Sequence, residues 1–250
     1  MRIDLNSDLG ESFGPWPMGQ DAALMPAITS ANVACGFHAG DPGTMRATVG
    51  AALAKGVAIG AHPSFPDLQG FGRRQMKLAP QEVYDLCVYQ IGALAAFARA
   101  AGGRLHHVKA HGALSNMAAR DPALADAITR AARDVDPSLI SYAQAGTELV
   151  RAAERIGLPF ASEVFADRTY QDDGQLTPRS RPGAMIENVE DSIEQVLRML
   201  REGRVRSLNG VDVEVRPDTV CVHGDQPRAV EFARRLREAL AREGVSIAAC

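Results

Sequence analysis

Short β-prone runs alternate with helix-periodic segments along almost the whole chain. The runs Arg2–Asp8, Ile28–Ala34, Val57–His62, His106–His111, Leu139–Ala143, Phe160–Ala166, Thr219–His223 and Val245–Ala249 read as strands. Several are continuous apolar or β-branched stretches rather than strict alternations, the pattern of strands covered on both faces. Between them apolar residues recur at helical spacing. Val83, Leu86, Cys87, Ile91, Leu94 and Ala98 form one stripe, Ile193, Val196, Leu197 and Leu200 a second, and Val230, Ala233, Leu236 and Leu240 a third. Prolines at Asp41-Pro42, Pro80, Asp121-Pro122 and Gln226-Pro227 predict first turns, and Gly56, Gly102-Gly103, Gly157 and Gly244 predict helix ends.

Repeated βα units predict a parallel sheet with helices outside it, either open or closed as a barrel. With no long linker, low-complexity tract or repeat, residues 1–250 read as a single domain. Two segments interrupt the rhythm. Residues 204–216 place Asn209-Gly210 before Val211, Val213 and Val215 in alternation, which predicts a hairpin insertion. Residues 167–183, DRTYQDDGQLTPRSRPG, are polar and rich in turn formers, and a loop of that length is expected to be functional.

Composition narrows the class. At 250 residues, 46% hydrophobic and 23% charged, the chain is long and apolar enough for a substantial core. The net charge of −3 argues against binding nucleic acid by phosphate neutralisation, and 5% aromatics leaves few stacking platforms. The opening MRIDLNSDLGES lacks the apolar core of a signal peptide, and the apolar stretch Ile91–Ala101 is interrupted by Arg99 and too short to span a bilayer. Cys35, Cys87, Cys221 and Cys250 are scattered with no CxxC pair, which predicts reduced thiols and a cytoplasmic location. Neither a nucleic acid nor a membrane is an expected partner.

The chemistry gathers at the predicted carboxyl ends of the strands. Asp8 and Glu11 follow the first. His38 and Asp41 follow the second in ANVACGFHAGD, and His62 ends the third in GAHPSF. Lys109 and His111 lie in HVKAHG, Glu163 precedes Asp167 and Arg168, and His223 and Asp225 lie in VCVHGD. In α/β barrels the active site is assembled at this face from several strands, so residues distant in sequence are expected to converge. Taken singly each has a plain structural role: Asp8 as a turn cap, a strand-end histidine as a loop hydrogen-bonder. Imidazoles and carboxylates on several ends together point to a site.

Cys35 reads as a small strand residue, His106 or His107 as structural, Asp172–Gly174 as a turn, and Arg234, Arg235, Arg237 and Arg242 as a solvated face. Two chemistries fit: a divalent metal on imidazole and carboxylate ligands, or a metal-free general base with Lys109 or an arginine stabilising an anion. No HExxH pair decides between them. The chain also carries no GxxxxGK[ST] loop and no GxGxxG turn after a strand, so any ATP used is expected to bind on another chain.

The runs IDLNSDLGE, SANVACGFHAGD, GVAIGAHPSFPD, YQIGALA, HVKAHGAL, EVFADRTYQDDGQLTPRSRPGA and VCVHGD, in this order from Arg2 to the last helix, resemble the LamB/YcsF family. The resemblance implies an α/β fold, a distorted seven-stranded (β/α) TIM-like barrel of the glycoside hydrolase/deacetylase type, with Val245–Ala249 peripheral. It implies ATP-driven opening of the lactam 5-oxo-L-proline to L-glutamate, shared with subunits B and C of a 5-oxoprolinase complex. ATP is then the co-substrate, activated on those partners.

By position the resemblance puts Asp8, His38 and His62 at the polar centre, with Lys109, His111, Glu163, Arg168, Arg179 and His223 around it. Asp8 or Glu11 would be the water-activating base, and His38 and His62 would orient water or, with Asp8, bind a metal. Lys109 with Arg168 or Arg179 would hold a carboxylate or phosphate, and residues 167–183 would close as a lid. The related deacetylases carry an Asp-Asp pair and paired histidines; here Asn6-Ser7-Asp8 and a lone His38 depart from that pattern. The alternatives are a stand-alone metal-dependent deacetylase or hydrolase, and a non-catalytic lactam-utilisation scaffold.

Overall fold

The computed structural model describes residues 1–222 and 229–250. In chain order β1 (Arg2–Leu9) leads through the short α1 (Asp21–Leu24) to β2 (Ser30–Ala34), and α2 (Pro42–Lys55) leads to β3 (Ala58–His62). The long α3 (Pro80–Ala100) precedes β4 (His107–Val108), and α4 (Gly112–Ala118) and α5 (Pro122–Val135) precede β5 (Ile140–Gln144). After α6 (Glu148–Ile156) and β6 (Phe160–Phe165), a long loop leads to α7 (Val189–Glu202). The hairpin of β7 (Arg204–Arg206) and β8 (Asp212–Glu214) then precedes β9 (Thr219–Cys221), α8 (Ala229–Arg242) and β10 (Ser246–Ile247).

Strands β1 to β6 pair in sequence, all parallel, and β9 closes the ring by pairing with both β6 and β1. The result is the expected seven-stranded barrel. The outlying β10 pairs only with the start of β1, Arg2 opposite Ser246, so it adds to the barrel's edge without entering the ring. No helix among the described residues is long and apolar enough to cross a membrane.

The apolar core lies between barrel and helices. Val83, Cys87, Ile91, Leu94 and Ala98 of α3 are buried as their spacing predicts, as are Val196 and Leu197 of α7 and Leu236 and Leu240 of α8. Each such leucine or isoleucine contributes about 1.5–3 kcal/mol by leaving water. Prolines and caps set the helix starts: the Asp41 carboxylate accepts from Thr44 N (2.8 Å) and Asp121 from Ala123 N (2.9 Å).

The barrel interior is polar. Along β1, Asp4, Asn6 and Asp8 share one face and point inward. Asp4 accepts from the hydroxyls of Thr29, Ser30 and Thr219, at 2.5, 2.8 and 2.6 Å. Asn6 donates to Thr219 Oγ1 (2.7 Å) and accepts from Asn32 Nδ2 (2.8 Å). Next to them the His107 ring stacks on Tyr142, centroids 4.1 Å apart, and Nε2 donates to Asn32 Oδ1 (2.8 Å). Gly60 faces His107 across the β3–β4 ladder, where a Cβ would lie 2.1 Å from its Nε2, so only glycine admits the imidazole. Burial of these polar groups is tolerated because each finds a partner.

The expected strand His106–His111 shortens to His107–Val108. Lys109 N still donates to Ala61 O and His111 N to Pro63 O, both at 2.9 Å. The chain thus stays anchored to β3 while it leaves the regular ladder, and that departure carries Lys109 and His111 to the rim.

Candidate active site

At the carboxyl end of the barrel, Lys109 is the hub. Its ammonium lies 2.7 Å from Glu163 Oε1, 3.1 Å from Asp8 Oδ1 and 3.1 Å from Asn6 Oδ1, so β4, β6 and β1 converge on one cation. Cys221 Sγ of β9 is 3.2 Å away. Burial by itself disfavours the Lys109 charge, but the carboxylates of Asp8 and Glu163 outweigh it and hold the pKa well above the lysine range. Burial pushes the Cys221 thiol well up, so it is present as a thiol. Asn32 donates to Asp8 Oδ1 (2.9 Å), and Asp8 Oδ2 lies 3.3 Å from His62 Nε2.

Beyond Asp8 stand three imidazoles. His38 stacks on His111 at 3.8 Å between centroids, and both meet His62 edge-on. His62 Nδ1 donates to Lys109 O (2.6 Å), and His111 Nε2 donates to Phe71 O (2.9 Å). Each acceptor is a carbonyl, so the proton of each neutral ring is fixed on the nitrogen facing it. His38 is 1% exposed, and neither of its ring nitrogens has a hydrogen-bond partner among the described residues. Its Nε2 is 3.7 Å from Glu11 Oε1. Burial, then the neighbouring rings, push the His38 pKa well below its ordinary value; burial and His62 take His111 down to about 3. The ligand atoms of Glu11, His38, His62 and His111 all lie within 4.8 Å of one another, a group able to hold a metal ion.

The cluster rests on a strained turn. Phe71 has φ of +54°, the only non-glycine residue with positive φ among the described residues, and Gly72 follows at +63°. That conformation aims the Phe71 carbonyl at His111, while its ring meets His38 and His111 edge-on. Gln90 of α3 holds the loop after β3 from behind: its amide accepts from Ser64 N (2.9 Å) and donates to Ser64 O (2.8 Å).

Of the residues expected at the site, Asp8, Glu11, His38, His62, Lys109, His111 and Glu163 converge. Arg168 is buried after β6 and donates to Thr177 O (2.6 Å). Burial and the nearby Arg179 lower its pKa from the arginine value. Arg179 itself is exposed on the same loop, close enough for its charge to act on Arg168. His223 and Asp225 lie outside the described residues. Sequence reasoning passed over Asn6, Asn32, Phe71, Gly72 and Gln90. The DLNSD alternation at Asp4–Asp8 was the available signal for Asn6; the others act through backbone geometry or single amide contacts that leave no periodicity.

Comparison with known proteins agrees with this geometry. Residues 3–250 match the model of the LamB/YcsF family. The chain is 63% identical to the 5-oxoprolinase A subunit of Bordetella pertussis, across 99% of this chain and 98% of that protein. It superposes on the crystal structure of a lactam utilization protein from Thermus thermophilus with TM-score 0.95 and 49% identity, each chain covered in full (100%). A family 4 carbohydrate esterase from Streptomyces lividans shares the fold alone, at TM-score 0.50 and 14% identity over 98% of this chain and 91% of the esterase. Full-length similarity at these identities, with the barrel and its strand-end polar cluster, means that the chain belongs to the LamB/YcsF family.

Proposed function

We propose that this chain acts as the A subunit of an ATP-dependent 5-oxoprolinase, which converts 5-oxo-L-proline, ATP and water to L-glutamate, ADP and phosphate. The observation that carries the reading is the convergence of Asp8, His62, Lys109 and Glu163 at the barrel mouth, in a chain 63% identical to a protein of that name. Partner subunits B and C would bind ATP and activate the lactam. That division accords with a sequence lacking phosphate-binding loops. A cytoplasmic setting suits the four free cysteines.

A five-membered lactam is a poor electrophile with a poor leaving nitrogen. Phosphorylation of its amide oxygen makes C5 electrophilic. Water adds there, the ring C–N bond breaks as the nitrogen takes a proton, and the resulting acyl phosphate hydrolyses to glutamate and phosphate. We assign Asp8, which lies beside His62, as the base that takes the proton of the attacking water. Lys109 is engaged by Asp8, Glu163 and Asn6, so its role is to hold both carboxylates in place rather than to grip the substrate. Arg168, whose Nε has no hydrogen-bond partner among the described residues, is the donor for a substrate carboxylate or phosphate. Residues 167–183 would close over a labile intermediate and exclude bulk water.

The test is glutamate release from 5-oxo-L-proline and ATP by subunits B and C, with and without this chain. Release that requires all three, and that Asp8→Ala abolishes in a folded protein, is the expected result. Release without this chain, or none from a complete mixture of folded subunits, overturns the proposal.

A further inference from the structure

His62 Nε2 and His111 Nδ1 face each other at 3.0 Å. The opposite nitrogen of each ring donates to a carbonyl, His62 to Lys109 O and His111 to Phe71 O. In the neutral rings, then, the two facing nitrogens both carry lone pairs. Neither can donate to the other, and a carboxylate oxygen of Asp8 lies 3.3 Å from the same His62 nitrogen. A third imidazole, His38, is stacked on His111 with both nitrogens buried and without hydrogen bonds among the described residues. Lone pairs converging in a closed space are unfavourable unless an electron-pair acceptor lies between them. A proton shared by His62 and His111 would relieve one contact and leave His38 unsatisfied; a cation on all three rings takes one lone pair from each.

We infer that Glu11, His38, His62 and His111 form a binding site for one divalent transition-metal ion. Three imidazoles and a carboxylate are a donor set suited to zinc and its first-row neighbours rather than to magnesium or calcium. The four ligand atoms lie within 4.8 Å of one another, against about 3.4 Å between ligands of a tetrahedral ion at ordinary bond lengths, so side-chain shifts of about an ångström bring them together. The outer contacts are those of a metal centre: two backbone carbonyls fix the ring tautomers, one of them presented by the strained Phe71. Glu11 thus enters as a ligand, while Asp8 remains beside the group on His62 as a proton acceptor. When bound, such an ion supplies a Lewis acid and an acidified water at neutral pH.

The inference deepens the proposed reaction by naming what the histidines hold, but its test uses neither ATP, lactam nor partners. The full-length chain, stripped with chelator, is titrated with Co2+ and then Zn2+ while visible ligand-field absorption and calorimetric stoichiometry are followed. One Co2+ per chain, displaced by one Zn2+, is expected. His111→Ala and His38→Phe, the latter keeping the stack on His111, should each weaken binding by about 100-fold or more. His106→Gln, at the other end of the barrel, should leave it unchanged, and circular dichroism checks that each variant is folded. Failure of the folded wild type to bind either ion stoichiometrically overturns the site, as does binding that survives both ligand substitutions. Metal binding without glutamate release would leave the site standing and remove the proposed reaction; the converse result would do the opposite.

Discussion

The Lys109 ammonium lies 2.7 Å from Glu163 Oε1, with the lysine side chain 7% and the glutamate 3% exposed. Asp8 shares the same cation from another strand. Removing the cation would leave two carboxylates facing each other in the barrel mouth, an uncompensated arrangement that costs far more than the intact pair contributes. Lys109→Met should therefore destabilise the protein by about 3–5 kcal/mol and abolish coupled turnover. Adding Glu163→Gln should restore more than about 1 kcal/mol of that loss, because the two sites are directly coupled. Urea denaturation of the two singles and the double checks this; strict additivity would show that the contact does not hold the site together.

His107 sets an acid limit on stability. Burial, then the charges of His106, Lys109 and His62, hold its pKa well below the ordinary histidine value, so the folded protein keeps it neutral. Its contribution is fully present above the unfolded pKa of about 6.5. As pH falls below that value the unfolded chain takes up a proton that the folded chain refuses, and stability drops towards the lower folded pKa. The slope for this group is at most about 1.4 kcal/mol per pH unit. Unfolding free energies measured between pH 7.5 and 5 should fall less steeply in His107→Gln than in the wild type. An unchanged slope would mean that the ring is protonated in the fold.

How much of this was legible beforehand depended on whether a residue's role repeats along the chain. Apolar runs mark strands wherever helices cover them, so Val33, Ile59 and Val164 announced the barrel, and its carboxyl ends located Asp8, His62, Lys109 and Glu163. Closure adds a constraint that no single run displays: one face of every strand turns into a narrow interior. Asp4 and Asn6 became a buried polar column for that reason, with Asp8 half-buried at its mouth, and Gly60 became the space for His107. A strand-end lysine usually has water on one side, whereas Asp8, Asn6 and Glu163 gather around the Lys109 ammonium, a convergence that no single strand displays.

Gly72 couples backbone strain to the imidazole cluster. With φ of +63°, it has a position where a Cβ would lie 2.4 Å from Ser64 Oγ, 2.8 Å from His38 Cβ and 2.9 Å from His111 Cδ2. Gly72→Ala should cost about 1–3 kcal/mol of stability through strain and overpacking. Its larger effect should be on turnover, because relief of the clash moves His38 and His111 apart. Activity falling at least tenfold in a protein still folded at assay temperature is the expected pairing. Full activity with reduced stability would show that the turn serves folding alone.

Tyr170 roots the loop proposed to close over the site. Its side chain is 1% exposed, and its hydroxyl accepts from the backbone nitrogen of Phe165 at 2.9 Å. Its carbonyl accepts from Leu208 N (2.8 Å), which ties residues 167–183 to the segment between β7 and β8. Tyr170→Phe keeps the ring and leaves the buried Phe165 N–H without its acceptor, at a cost of about 1–3 kcal/mol. Because the lost bond anchors the root and not the chemistry, Asp8, His62 and Lys109 keep their mutual distances. Loosening the root should then raise KM for the lactam and lower kcat together, the behaviour of a residue that governs closure. Steady-state kinetics of the reconstituted reaction would resolve the two parameters. A variant that is less stable by the expected amount, yet unchanged in both, would leave the loop a structural brace with no part in closing the site.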